Sequence, residues 1–379
     1  MKLRELCTIQ SGGTPSRSKP EFWENGSIPW VKISDIDGKY VSHTEEKITE
    51  CGLLSSSAKV FPKGTLLYTI FATLGEVCIL DIDAATNQAI AGITIKNDNV
   101  DEDYLFYFLT SLKTYVNRIG RGVAQNNINM SILREIEVPL PSIVRQKRIA
   151  DILGKADQLI EKKERQLITL DELVKSRFIE LFDNTTYDSN KVYLDEISDF
   201  VTVGIANSAT HAYAESGVVM LRNQNIKENY LDENDLIYIT PDFAKKYGSK
   251  KLVENDILVI RTGYPGIACL VPKKYEGCQT FTTLIVRLKA PTLAHANYVC
   301  HYINSSFGKD YVEQSKVGVA QQNFGAKALA RMPILIPPME IQEQFAAFVF
   351  EVDKSKLAVK QSLEKLETLK KSLMQQYFG

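Results

Sequence analysis

The feature that most constrains this chain is that it is written twice. GVAQNN at Gly122–Asn127 returns as GVAQQN at Gly318–Asn323, a displacement of 196 residues. The same displacement carries Pro141 onto Pro337, Gln146 onto Gln342, Leu167 onto Leu363, Leu170 onto Leu366 and Phe182 onto Phe378, with no gap. Upstream the match is fainter but keeps its order. LRELC (Leu3–Cys7) answers LDEIS (Leu194–Ser198), and IPWVKISDI (Ile28–Ile36) answers VVMLRNQNI (Val218–Ile226). FPKGTLLYTI answers VENDILVIRT, and DYLFYFLTS answers NYVCHYINS. A fixed-period repeat of this length means one structural unit used two times, each copy a variable globular part followed by a more constant run.

The constant runs are Ser142–Phe182 and Pro338–Phe378. In the first, Leu153, Ile160, Leu167, Val174 and Leu181 recur every seventh residue, and Ala156 and Leu170 stand three further on. The second repeats the frame with Val349, Leu363 and Tyr377 in one column and Val352, Val359, Leu366 and Leu373 in the other. This is the a/d spacing of a coiled-coil seam. Each run predicts a helix of roughly 60 Å, longer than a core helix needs, and two of them suggest a rigid spacer. Ile152, Leu159 and Leu173 widen the seam; a two-helix contact leaves part of such a stripe open, which makes these residues a docking face for partner helices.

Four segments follow: a first globular part at 1–141, a long helix at 142–183, a second globular part at 184–337 and a second long helix at 338–379. The globular parts read as β-rich. Ile28–Ser34, Leu66–Phe71, Glu76–Leu80 and Ala89–Ile95 have strand composition; Asp101–Arg118 reads as a helix with acidic residues in its first turn. A short helix near Ser131–Arg134 and a strand at Ile136–Pro139 lead to the long helix. The second copy repeats the plan with strands near Val218–Asn223, Ile257–Thr262, Ala268–Val271 and Thr283–Leu288, a helix over Ala296–Glu313, then Met332–Pro337. Asn184–Lys191 is polar and reads as a linker. The fold class is α+β, two β-rich domains joined by two long helices.

Composition is that of a globular protein, with 44% hydrophobic and 24% charged residues over 379 positions, so disorder is not expected. The net charge of −1 is spread evenly, and no segment is basic enough to announce a nucleic-acid binder. The start of the chain lacks an apolar signal core, and no window approaches ~18 apolar residues; with six scattered cysteines and no C-x-x-C pair, a reducing cytoplasm fits. The thiols are expected as small buried hydrophobes. Chemistry is conspicuously missing. There is no G-x-x-x-x-G-K-[ST] phosphate loop and no G-x-G-x-x-G after a strand. The histidines His43, His211, His295 and His301 have no zinc spacing, and no [ND]-P-P-[FYW] tetrad is present for gripping a target base. No catalytic residue and no metal ligand is assigned; Asp81 and Asp83 read as a solvated turn.

The blocks SGGTPSRSKPEFWENGSIPWVKISDI, FPKGTLLYTIFATLGEV, ATNQAIAGI and GVAQNNINMSILREIEVPLPSIVRQKRIADIL, with GVAQQNFGAKALARMPILIPPMEIQEQFA in the second half, resemble specificity subunits of Type I restriction–modification systems. The resemblance spans nearly the whole chain. It departs where the second half has GIANSAT and VVMLRNQNI in place of the GGTPS and FW–IPW signature, and where Arg145 precedes Gln146. The resemblance implies two target recognition domains, each reading one half of a split DNA site, with the long helices packed antiparallel between them. It also implies that two modification subunits bringing S-adenosylmethionine dock on the helices, and that restriction subunits bring ATP and Mg; this chain itself holds no cofactor. A twofold repeat suits twofold partners and two half-sites about one turn, roughly 10 base pairs, apart.

Base edges are read by bidentate donors and acceptors, so polar residues at loop tips are the candidate DNA contacts. In the first copy these are Lys32, Ser34, Asp35, Thr73, Asn87, Gln88, Gln125, Asn126 and Asn127. In the second they are Arg222, Asn223, Gln224, Arg261, Thr262, Tyr264, Gln279, Gln321, Gln322 and Asn323. Each could instead satisfy its own turn, and the GVAQ blocks, alike in both copies, could serve phosphate or the fold. Three other readings stand beside this one: a self-contained methyltransferase or nuclease, the specificity subunit of a fused modification–cleavage system, and a scaffold presenting two peptide-binding domains.

Overall fold

The computed structural model of the chain describes residues 1–120, 128–182, 190–206, 209–289, 293–316 and 323–379. They form two compact units, Met1–Arg165 with Lys360–Gly379, and Gln166–Val359. Both long helices form as the heptads require, over Ile143–Phe182 and Met339–Phe378, each 40 residues. The boundary between the units falls inside each of them.

The first unit holds two sheets. One has five strands in the order Cys7–Ser11, Ile90–Ile95, Leu66–Thr69, Val77–Leu80 and Tyr40–Val41. The other orders Glu46–Ile48, Ile28–Val31, Ala84–Thr86 and Val60–Phe61, with Ile28–Val31 parallel to Ala84–Thr86. The second unit has two sheets on a related plan, each of four strands. Ser198–Val203, Leu284–Leu288, Ile257–Val259 and Ala268–Leu270 form an antiparallel sheet. Tyr213–Ala214, Ile237–Ile239, Val218–Leu221 and Gln279–Thr280 form the other, again with one parallel pairing, Val218–Leu221 against Gln279–Thr280. The first strand of each copy ends on a glycine that the fold cannot replace. A Cβ on Gly12 would lie 2.0 Å from Thr86 Oγ1, and one on Gly204 would lie 2.4 Å from the Thr280 carbonyl oxygen. The second copy therefore keeps the close approach although it has lost the GGTPS spelling.

The expected single helices Asp101–Arg118 and Ala296–Glu313 are each two helices, Glu102–Ser111 with Lys113–Gly120 and Ala296–Asn304 with Ser306–Ser315. The break has a shared cause. The hydroxyls of Ser111 and Ser305 donate to the carbonyls of Phe108 and Tyr302, at 2.6 and 2.7 Å, and such back-bonding competes with helix continuation. The expected strand Ile136–Pro139 is only an isolated bridge from Glu137 to Lys2, whereas Pro333–Leu335 is a true strand paired with Lys191–Tyr193. Most of the linker read at Asn184–Lys191 lies outside the described residues.

Of the seam positions, Leu153 lies in the first core with Leu373 and Tyr377 against it, and Val174 joins Val349 and Val352 in the second. Ile149, Ala150, Met374 and Phe378 in the first unit, and Phe178, Phe182 and Phe345 in the second, pack beside them from positions off the heptad seam. Lys370 pairs with Asp157 in the first unit, and Lys356 with Asp171 at 2.6 Å in the second. In each unit the contacts advance along one helix as they retreat along the other: Leu153 near Leu373 to Tyr377 and Asp157 with Lys370 in the first, Asp171 with Lys356 and Phe182 with Phe345 in the second. Within each unit the two helix segments therefore run antiparallel.

One buried amide ties each long helix to its own sheet domain. Gln146, 1% exposed, accepts the Asp101 N–H at 3.0 Å and donates to the carbonyls of Asn99 and Pro141, both at 2.9 Å. Gln342 accepts the His295 N–H at 2.8 Å and donates to the carbonyls of Leu293 and Pro337 at 3.1 and 2.8 Å. Tyr104 and Tyr298 reinforce the joint, each hydroxyl donating to a carbonyl just before the helix, Pro139 at 2.7 Å and Leu335 at 2.8 Å. Of the thiols, Cys7, Cys78, Cys269 and Cys300 are buried as expected, Cys278 partly so, but Cys51 is exposed. Burial pushes the Cys78 and Cys269 thiols up to about 12, far from the thiolate that reactivity needs.

Replacing Gln146 by Ala leaves an N–H and two carbonyls without partners at a buried joint. Chemical denaturation should register a loss of about 3 kcal/mol from the first unit; a loss within about 0.5 kcal/mol, the range of a surface change, would show that the joint is not structural.

His301 supplies a pH signature in the second unit. It is 8% exposed, and desolvation, with Lys356 nearby, lowers its pKa from 6.5 to about 4 although Glu228 acts the other way. A base whose folded value is depressed contributes stability above the unfolded value, and loses it as pH falls from 6.5 through about 4. Up to about 3 kcal/mol rides on this shift. Denaturant midpoints measured across that window should fall less steeply for His301→Gln than for the unaltered chain.

Candidate nucleic-acid interface

A parallel pair of strands delivers two chain segments to the same edge. In the first unit, Lys32 follows Val31 and Asn87 follows Thr86, and the Asn87 N–H donates to the Val31 carbonyl at 3.0 Å. In the second unit, Arg222 follows Leu221, Phe281 follows Thr280, and the Phe281 N–H donates to the Leu221 carbonyl at 2.8 Å. A tight turn joins this edge in each case: Phe71–Gly75, with Ala72 at φ 61°, and Thr262–Gly266, with Gly263 at φ 86°. The residue before each turn also receives the chain leaving the repeated GVAQ block, through Ile128 N–H to the Ile70 carbonyl at 3.0 Å and Phe324 N–H to the Arg261 carbonyl at 2.9 Å. Four loop segments thus meet at one end of each domain, built on the same backbone and filled with different side chains.

The second unit brings its candidates together by direct bonds. Asn223 Nδ2 donates to the Thr262 carbonyl at 3.2 Å, and Arg261 Nε donates to Asn323 Oδ1 at 3.0 Å. Arg222 donates through Nη2 to the Asp235 carbonyl at 2.5 Å, while its Nε and the Asn223 Oδ1 are buried with no partner among the described residues. Tyr264 stands at the tip of the turn, 81% exposed, and Gln224 is exposed. Gln279 does not belong to this surface. It has no exposed area, and its amide donates to the carbonyls of Ala244 and Tyr247 at 2.9 and 2.8 Å. Its place in a strand paired on the core side makes it a support for the helix Pro241–Lys246.

In the first unit several candidates are committed to the loops themselves. Asp35 accepts the N–H groups of Lys32 at 2.9 Å and Glu45 at 3.4 Å, so its carboxylate closes a turn. Asn87 Oδ1 accepts the Ala89 N–H at 3.0 Å, an Asx turn. Gln88 is exposed and accepts the Thr14 hydroxyl; Ser34 and Thr73 are exposed. Lys32 is paired with Glu45 and, at 3.4 Å, with Glu46, and the hydrogen bond to Glu45 raises its pKa. Gln125, Asn126, Asn127, Gln321 and Gln322 lie outside the described residues.

Sequence reasoning missed Arg17. Its guanidinium lies 3.7 Å from the Trp23 ring centre and 5.1 Å from that of Trp30, and Nη1 is 2.6 Å from Glu46 Oε2. Glu46 is thereby shared between Arg17 and Lys32. The signal was available in the SRS tripeptide ahead of the FW–IPW aromatics, because Arg favours aromatic faces. On the long helices, Ile152 is half-buried, while Leu159 and Leu173 are 48% and 47% exposed. Ile168, Ile179, Phe350, Leu357 and Leu369 are exposed as well. No described helix is long and apolar enough to cross a membrane.

Each copy thus carries a sheet domain on a heptad helix, with a polar loop cluster at one end. The chain belongs to the Type I restriction modification DNA specificity domain family, whose model matches residues 1–170 and 188–368. It is 33% identical over 214 residues to the MjaIX specificity subunit of Methanocaldococcus jannaschii, a stretch covering 54% of this chain and about half, 48%, of that relative. The EcoprrI specificity subunit of Escherichia coli is 22% identical over 370 residues, covering 93% of this chain and 87% of the relative. The fold matches the S subunit of M. genitalium over 100% of this chain and 95% of that one, with a TM-score of 0.56 and 14% identity. It also matches a chain from a structure describing complex assembly and conformational transition of the type I R-M system, over 100% and 96%, with a TM-score of 0.63 and 16% identity.

Tyr264→Ala should leave the thermal transition of the second unit unchanged, since an exposed tip carries no packing. Gln279→Ala should lower it, by about 1–3 kcal/mol for the strand-to-helix bonds it removes. Equal behaviour of the two variants in a melting experiment would contradict the division drawn between tip and support.

Proposed function

We propose that this chain is the DNA-recognition subunit of a Type I restriction–modification complex, each sheet domain reading one half of a bipartite site. The observation that carries the reading is the repeated loop cluster: one backbone frame, occurring twice, presents Lys32, Asn87 and Gln88 in one copy and Arg222, Phe281 and Thr282 in the other. Equal frames with unequal side chains suit unequal half-sites. Arg17, Arg222, Arg261, Tyr264 and Asn323 join the exposed polar residues as base and phosphate contacts, with Arg and Asn suited to bidentate readout of guanine and adenine.

The subunit works without a catalytic centre of its own. Two modification subunits dock on the long helices, using the exposed apolar positions Leu159 and Leu173 beside Ile152, and supply S-adenosylmethionine; restriction subunits supply ATP and Mg. The complex acts in the cytoplasm. The helices act as the ruler that sets the unspecified spacer.

The test is to map methylated adenines in DNA from cells carrying this chain with its modification partner, before and after residues 1–141 are exchanged for another domain of the same type. One half of the methylated sequence should change while the other half and the spacer stay. A change in both halves, or methylation with no bipartite preference, overturns the proposal.

A further inference from the structure

The second unit has a cavity of about 210 Å³, between the first long helix and the helices Ala296–Asn304 and Ser306–Ser315. Phe178 and Ile179 form one wall and Phe307 another, and most of the lining is apolar. An apolar cavity of about 150 Å³ is enough to hold benzene, so one aromatic ring with a substituent fits. At its base sits His301, more than nine-tenths buried, stacked on Phe178 with ring centres 6.5 Å apart and edge-on to Phe345 at 5.1 Å. Among the described residues neither nitrogen of His301 makes a hydrogen bond, and neither is an atom sealed from solvent. The neighbouring amide of Asn304, by contrast, is fully engaged with Ala268 and Asn229.

The mouth carries a net positive charge. Lys175 and Lys309 lie 3.1 and 3.0 Å from the two oxygens of Glu228. Burial alone would raise the Glu228 pKa, but the hydrogen bonds from Lys309 and Lys175 outweigh it and hold the carboxyl below its ordinary range. Two ammonium groups therefore face one carboxylate. The first copy has different side chains and contacts at this place. His301 corresponds to Tyr107, whose hydroxyl donates to Asp157 at 2.8 Å, and Lys39 lies over the Phe106 and Tyr107 rings while pairing with Asp103 at 2.7 Å.

We propose that this cavity is a binding site for a small aryl carboxylate, free or as the end of a larger molecule. The ring lies between Phe178, Ile179 and Phe307 against the imidazole of His301, and the carboxylate meets Lys175 and Lys309 at the mouth. The site is separate from the recognition loops and does not rest on the DNA-reading proposal.

The experiment uses the full chain with isotope-labelled histidine, titrated with sodium benzoate and followed by NMR. Comparison with His301→Gln assigns the His301 signal among the four histidines. The expected result is a saturable shift confined to His301, with a dissociation constant in the millimolar range or tighter. Benzamide, the neutral analogue, should bind several-fold more weakly. Ser306→Trp, which places a ring across the mouth from an exposed position, should abolish the shift while the melting temperature stays. No saturable shift, equal shifts at all four histidines, or binding that survives Ser306→Trp would overturn the site. Equal affinity for benzamide would overturn the carboxylate.

Discussion

Everything in this protein hangs from a buried glutamine that appears two times. Gln146 and Gln342 each engage three backbone groups that would otherwise be orphaned: the first free N–H of a short helix, a carbonyl from the loop before it, and the carbonyl at the entrance of a long helix. Each group is obligatory in hydrogen bonding, so the joint fixes direction as well as contact. A long helix attached by apolar packing alone could slide or roll on its domain. One attached through a three-point amide cannot do so without breaking buried polar bonds.

The joint explains how a variable domain and a constant helix coexist. The copies present different side chains at the end where the parallel strands deliver Lys32 or Arg222 and the tight turns deliver Thr73 or Tyr264. The glutamine, the tyrosine that reinforces it and the glycine at the end of the first strand stay in place in both copies. Side chains at the loop end can therefore change identity without disturbing the angle at which the helix leaves. The loop end and the helix joint are thus separate at the level of packing.

Much of this was legible in the sequence. The heptad columns specified both long helices because a seam buried on one side writes its period directly into the residues, and the displacement of 196 made the two copies visible. The parts that were not legible share a physical reason: they depend on partners distant in sequence. Nothing local distinguishes Gln279, sealed beneath a helix, from Gln88, open to solvent, since both are short polar stretches at strand ends. Ser111 and Ser305 break their helices through a hydroxyl bond that neither Gly nor Pro announces. Asp35 and Asn87 sit in the right place to touch a ligand, yet the loop itself uses them. Arg17 was overlooked because its value lies in two tryptophans, one of them thirteen residues away in sequence, and in a glutamate on the next strand.

The compact units do not coincide with the halves of the repeat, and this bears on how the molecule is made. The core of the first unit is finished by Leu373, Met374, Tyr377 and Phe378, with Phe378 lying 5.4 Å from Tyr104 and 5.9 Å from Phe108, ring centre to ring centre. Those residues are synthesised only after all of Gln166–Val359. On the ribosome, the first unit must wait with an apolar strip uncovered while the second is translated, the condition in which nascent chains aggregate. A message that stops anywhere in that interval yields a domain with its loop cluster present and its core unsealed, so the price of weaving two units from one repeat is a long vulnerability during birth.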